Sequence, residues 1–385
     1  MANLPPIEVP QGAIRFNTDS QRMEFFAQDR WYEMATESIS LDGGSGRGVA
    51  AGGNVPGQTD VIEYITISKQ GNSIDFGNLT ATRQSQPGGT GSSTRGVIGG
   101  GQDGGSPTTL NIIEFITFAT TGNASDFGDL TAPRQSFPSA TGSSTRGVIG
   151  GGQEFPAQVN KIDFITFSST GNASDFGDLT VARGQAAGTG SQTRGIFGGG
   201  EPGPSITDTI DYVTIAATGN AVDFGNLTGN RRIASAASSP TRSLFAAGIT
   251  PSATNIIDFV TTSTLGNAQD FGDVSVARYS VGAVSSKIRA AIMGGYAAPA
   301  NVNTIEFVTI ATKGNAQNFG DLTEVISNAQ HVSNSIRGVR MGGVTPLDTS
   351  MDYINIATKG DAVFFGSLLS THKEGAGCSN AHGGL

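Results

Sequence analysis

The chain is short of the residues that usually do chemistry. One cysteine, Cys378, in 385 residues excludes an internal disulfide framework. The three histidines, His331, His372 and His382, lie near the C-terminus without the spacing of a metal-ligand set. Charged residues are scarce at 14%, and 23 Lys+Arg against 32 Asp+Glu leave a net charge of −9. That balance offers no basic stripe able to displace counterions from a phosphate backbone, so nucleic acid is not an expected partner. No apolar run approaches the ~18 residues that a membrane helix needs, so no membrane insertion is expected. Met1 to Phe16 has neither the basic nor the apolar region of a signal peptide. The only tryptophan is Trp31.

Glycine, at 56 residues, is what the chain has in excess. It follows no three-residue period, which excludes collagen, and low charge with many β-branched residues argues against disorder. The glycines instead mark an internal repeat, the first thing to establish in a sequence of this length. A block reading G-N-x-x-D-F-G-x-L-T begins at Gly71, Gly122, Gly171, Gly219, Gly266 and Gly314, with a divergent seventh copy at Gly360. A second marker keeps the same beat: an arginine opens a short apolar run at Arg47, Arg95, Arg146, Arg194, Arg242, Arg289 and Arg337.

Each unit of about 48 residues reads as four strands. After Arg146 come GVIGGG, a loop QEFPAQVNK, and then IDFITFSS, in which Ile162, Phe164 and Thr166 face one way and Asp163, Ile165 and Phe167 the other. That period of two is a strand, not a helix. The turn TGNA leads into DFGDLTVAR, and a run of small residues, GQAAGTGSQ, reaches the next arginine. Four strands repeated seven times predict an all-β chain, a seven-bladed β-propeller of four-stranded blades. Small residues suit the innermost strand, here strand a, where all blades crowd the axis; the arginine-led strand is b, the alternating strand c and the D-F-G segment d.

The ends carry the closure. The first complete strand b starts at Arg47, while EGAGCSNAHGGL at the C-terminus reads as a strand a followed by the start of a strand b, with His382 in the arginine place. The C-terminal strand is therefore expected to complete blade 1, which pairs edges that would otherwise be exposed; Ser38 to Ser45 is the weaker competitor for that slot. Residues 1–40 are expected to form a short N-terminal β-hairpin module, two strands around the polar turn Thr18 to Gln21, and residues 41–385 the propeller.

The pattern L-T-x-x-R, a small-residue strand and an apolar strand ending in a glycine pair resembles the kelch repeat over residues 47–385, without that repeat's tyrosine and tryptophan. More closely, Ile162 to Thr180, Ile210 to Thr228 and Cys378 to Gly384 resemble repeats found in virion and tail-fibre proteins of phages that infect cyanobacteria, and residues 12–34 resemble a β-hairpin module of phage fibre and tail proteins. The resemblance implies a virion component made in the host cytoplasm, with residues 1–40 meeting other virion proteins and a homo-oligomeric assembly.

Catalysis needs an acid, base, nucleophile or metal cluster, and the sequence presents none, so neither an enzyme nor a cofactor is expected. The glycine runs lack the G-x-x-x-x-G-K of a phosphate loop. Asp126 and Asp129 near Asn123 are too sparse for a calcium loop and read as turn caps. The seven repeat arginines read as ties to the c–d turn, through its carbonyls or the D-F-G aspartate. A second set, Arg83, Arg134, Arg183, Arg231 and Arg278, stands eight residues after that aspartate; in the last two repeats both change together, to Asn318 with Ile326 and to Phe364 with His372. Direct pairing, joint drift and pairing between adjacent blades are all open at this point. The b–c loops differ in every blade and share one face with the d–a connections, which suits recognition. Phe155 and Tyr296 are the aromatics expected to meet a ligand there, a host cell-surface glycan for example. The expected function is thus a non-enzymatic virion structural or adsorption protein, and the alternative is a kelch-like cellular interaction scaffold.

Overall fold

The computed structural model describes residues 10–381 except 11, 18–21, 29, 34–45, 55–56, 85–87, 105–108, 136–138 and 345–346. The chain divides into two units, Met1–Gly43 and Gly44–Leu385. The first is a three-stranded antiparallel sheet of Ile14–Asn17, Arg22–Ala27 and Arg30–Glu33. It therefore has one strand more than the expected hairpin. The chain reverses again at Gln28, which takes the left-handed conformation (φ 47°), and brings Trp31 opposite Phe26. Trp31 packs edge-on against Phe26 at 5.3 Å and receives the Arg15 guanidinium on its face at 4.1 Å.

The second unit is a seven-bladed propeller of four-stranded antiparallel sheets, each in the order a-b-c-d. Blade 3 illustrates the register: Ser139–Gly142 pairs with Arg146–Gly150, that with Lys161–Thr166, and that with Ser174–Asp178. The ring closes as expected, since Ala376–Ser379 at the C-terminus pairs with Arg47–Ala51 and completes blade 1. The expected competitor, Ser38 to Ser45, and the arginine-place His382 lie outside the described residues.

Alternation in strand c does not separate a wet face from a dry one. Ile162 and Asp163 are both fully buried, because each sheet is sandwiched between two others. The core is accordingly a series of seven interblade clusters, of which Val148, Ile162, Phe176 and Leu179 of blade 3 against Phe197, Val213 and Ile215 of blade 4 form one. Burying seven such side chains contributes on the order of 10 kcal/mol per interface before the entropic cost.

The D-F-G segment explains itself at this level. In every strand d its phenylalanine is the extra residue of a β-bulge: Asp126 pairs with Glu114 and Gly128 with Ile113, leaving Phe127 between them. The bulge turns Phe127 edge-on to Phe115 of strand c at 5.8 Å, and the same pair recurs in all seven blades. The following Gly128 sits at φ 139°, and a Cβ there would lie 2.5 Å from the backbone of Gly171 in the next blade. Only glycine serves. The c–d turn of each blade docks on this spot: Gly122 N–H donates to Phe76 O (2.6 Å), Ala124 N–H to Asn78 O (2.8 Å), and Asn78 N–H to Asn123 Oδ1 (3.1 Å). Gly71 and Ser73 of blade 1 repeat the contact on Phe365 and Ser367 of blade 7, so the ring closes with the device used everywhere else.

Candidate functional site

The seven repeat arginines are built into the frame. Each guanidinium lies over the strand c aromatic of its own blade, from Arg47 over Tyr64 at 4.5 Å to Arg337 over Tyr353 at 4.5 Å. Each also donates to a carbonyl at the end of strand c in the following blade: Arg47 to Phe118, Arg95 to Phe167, Arg146 to Ile215, Arg194 to Thr262, Arg242 to Ile310, Arg289 to Ile356 and Ala357, and Arg337 to Ile67 and Ser68. The tie runs to the neighbouring blade rather than to the arginine's own turn. The D-F-G aspartate is not its acceptor: Asp126 Oδ1 takes the Gly128 N–H at 3.0 Å, capping the bulge. Asn123, read as a turn cap, instead accepts across the blade interface.

The second arginine set pairs between blades, but with an acid that sequence spacing missed. Strand c carries one buried carboxylate per blade: Glu63, Glu114, Asp163, Asp211, Asp258, Glu306 and Asp352. Arg83 pairs with Glu114, Arg134 with Asp163, Arg183 with Asp211 (2.9 Å), Arg231 with Asp258 (2.5 Å) and Arg278 with Glu306 (2.7 Å), each arginine leaving one blade to meet the next. Burial pushes these guanidinium pKa values down and the paired carboxylates pull them back up. The signal was present in sequence, as an acid between two apolar residues in every copy of strand c, such as Ile62-Glu63-Tyr64 and Ile162-Asp163-Phe164.

Two blades solve the pairing differently. Where Ile326 replaces the arginine, Asp352 is met by Arg340 of its own blade, directly across the ladder. In the other blades the place of Arg340 holds an apolar residue, such as Ile149 opposite Asp163. Cation and apolar side chain have exchanged places around one carboxylate. At the closing seam His372 takes the arginine's part: its Nε2 lies 3.0 Å from Glu63 Oε1 and its Nδ1 2.9 Å from Gly52 O. Ser370 Oγ also lies 3.0 Å from Nε2 and donates to Glu63 Oε1 at 3.1 Å, so histidine, serine and carboxylate form one hydrogen-bonded group. Burial pushes the Glu63 carboxyl up, but hydrogen bonds from His372, Ser73 and the Leu369 backbone leave it below its ordinary value.

The axis holds two cavities, of about 340 and 280 Å³. Both are lined by the second residue of strand a, which is Gly89, Ala140, Gly188, Ala236 or Gly377 in five blades and His331 in blade 7. The His331 ring lies over Gly282, where a Cβ would come within 2.0 Å of it, and its Nε2 is buried without a partner. Burial and the neighbouring Arg340 push its pKa down to about 4. Cys378 is likewise pushed up, to about 12, by burial alone and stays a neutral thiol. Among the described residues no group of three or more His, Cys, Asp or Glu is placed to hold a metal ion.

The b–c loops and d–a connections share a face, and in blades 2 to 7 single bridges such as Gln135–Gln153 and Gly184–Glu201 pin the loop base to the preceding linker. Three of the loops are small ribbons, including Gln153–Glu154 with Ala157–Gln158 and Tyr296–Ala297 with Ala300–Asn301. Phe155 stands at a ribbon tip, 55% exposed. Tyr296, expected to be exposed, is only part exposed: it packs edge-on against Tyr279 at 5.4 Å as the base of its ribbon. A cleft of about 560 Å³ opens between the loops of blades 3 and 4, lined by Gln153, Gln158, Gln185 and Glu201 among others. Neither the protein-family models nor the curated proteins contain a match to this sequence.

Proposed function

We propose that the chain is a non-enzymatic structural and adsorption protein of a phage particle, in which residues 1–40 attach to other virion proteins and the propeller presents its b–c loops to a host surface. The observation that carries the reading is one face with two characters. Seven nearly identical frames hold loops of dissimilar sequence, among them QEFPAQVNK, EPGPSITDT and YAAPANVNT, and bridges at the loop bases of blades 2 to 7 pin them to the frame. Rigid frame with variable loop is how recognition surfaces are built. The repeat wording described above directs the reading to virions rather than to cellular scaffolds, and the propeller fold itself supports a recognition role.

The test is direct. Peptides of this chain are expected in purified particles, and the purified protein is expected to bind host cells and to slow particle adsorption in competition. Absence from particles, with capture of a cellular protein through the b–c loops, would favour the scaffold reading instead.

A further inference from the structure

The cleft between blades 3 and 4 and the axial cavity share one lining residue, Gln185. Around the axial mouth Gln185, Ile233, Ser280, Asn328 and Glu374 all hold left-handed backbone (φ 52–58°) and line the cavity. Their backbones are joined in part by Ile233 N–H to Gln185 O, Asn328 N–H to Ser280 O and Glu374 N–H to Asn328 O. Such a conformation is unfavourable for a non-glycine residue and persists only where the surroundings enforce it.

Each of the two cavities also contains an amide with unsatisfied atoms. Gln330, 4% exposed, lines the axial cavity, and neither atom of its amide has a partner. Gln158 lines the cleft with its Oε1 buried and unpartnered. Buried polar groups left so carry a desolvation cost, which a ligand with both donors and acceptors recovers. The charge pattern narrows the class. No lysine or arginine lines either cavity, while Glu201 and Glu374 do. Arg232 beside the cleft is already committed to Glu201 and Gln185, at 2.9 and 2.8 Å. An anionic ligand would meet carboxylates and no free cation. Hydroxyl groups, which donate and accept, match amides and carboxylates. Pro156 and Pro202 line the cleft, and the exposed Phe155 stands next to Pro156 at the ribbon tip, beside the cleft, with an apolar ring for the C–H face of a sugar. The cleft is within the roughly 300–1,000 Å³ of small-molecule sites.

We propose that cleft and axial mouth form one groove for a neutral oligosaccharide, with Gln185 at the junction of its two halves. The inference rests on the reading of this face as a recognition surface and adds the ligand class and its seat. The experiment takes the full chain to an array of neutral and anionic glycans and follows the best binder by titration calorimetry, alongside binding to whole host cells. Neutral saccharides of two or more units are expected to bind, with affinity falling at least tenfold in Gln158→Ala and in Gln185→Ala and severalfold in Phe155→Ala. Lys287→Ala, on the exposed a–b turn of the opposite face, is expected to change nothing. Because Phe155 is exposed, its variant keeps the test valid should a glutamine variant unfold. Preference for anionic glycans overturns the inference, as does binding that ignores all three substitutions. Host-cell binding without any glycan binding overturns the sugar while the recognition reading stands; loss of both removes the two together.

Discussion

At the residue scale the molecule is ordered by charges that never reach solvent. Arg183 and Asp211 are both fully buried and 2.9 Å apart. Such a pair need not add much net stability, but breaking it leaves one charge alone in an apolar interface. Arg183→Met should therefore destabilise the fold by about 3–5 kcal/mol, while Arg183→Met with Asp211→Leu should recover most of the loss, as read by denaturant titration of both. His331 makes the opposite kind of prediction. Its pKa is depressed to about 4 in the folded protein against an ordinary 6.5, so between those values the unfolded chain binds more protons than the folded one. Stability should fall as pH is lowered from about 6.5 to about 4, by at most about 3 kcal/mol from this residue. His331→Ala should flatten that part of a melting-temperature profile; an unchanged slope would assign the acid sensitivity elsewhere.

At the element scale each blade is a half-interface, and the repeat motif is a description of two blades in contact. The glycine and asparagine of G-N-x-x-D-F-G dock on the preceding blade, while its D-F-G receives the following one. Blade 7 shows how the unit tolerates change when its partner residues move together. Ile326→Arg alone would bring a second cation to Asp352, and Arg340→Ile alone would orphan that carboxylate. Each single substitution is expected to cost about 2–4 kcal/mol, and the double variant, which restores the pattern of blades 2 to 6, less than either. Additive costs in the double-mutant cycle would show that the two sites do not share the carboxylate. The exchange of Arg278-type for Arg340-type pairing was visible as sequence drift, yet sequence could not tell drift from compensation, because Ile326 and Arg340 belong to neighbouring blades and are related only through Asp352.

At the scale of the whole molecule, stability depends on the ring being shut. Ala376–Ser379 is the only strand that blade 1 takes from the other end of the chain, and His372 with Glu63, Gly71 with Phe365 and Arg337 with Ile67 cross the same seam. A chain ending at residue 372 should lose the innermost strand of blade 1 and expose the edge of Arg47–Ala51. It is expected to be largely insoluble or to associate through that edge, whereas adding a synthetic peptide of residues 373–385 should restore a monodisperse species by size-exclusion chromatography. A truncated chain that stays monomeric with an unchanged melting temperature would mean that the seam carries little of the stability.

The sequence by itself determined the number of blades, the four strands in each and the strand that closes the ring, because repetition and a period of two are properties of neighbours along the chain. It showed Arg83, Arg134 and their successors as a set, and Glu63 and Asp163 lay open in the text between apolar residues. Only the tertiary structure decided that the two sets belong together, that Tyr296 is a loop base and Phe155 a tip, and that Gln185 lines two cavities. Those relations depend on which blade lies against which, and on how far a side chain reaches across an interface, neither of which has a period to read.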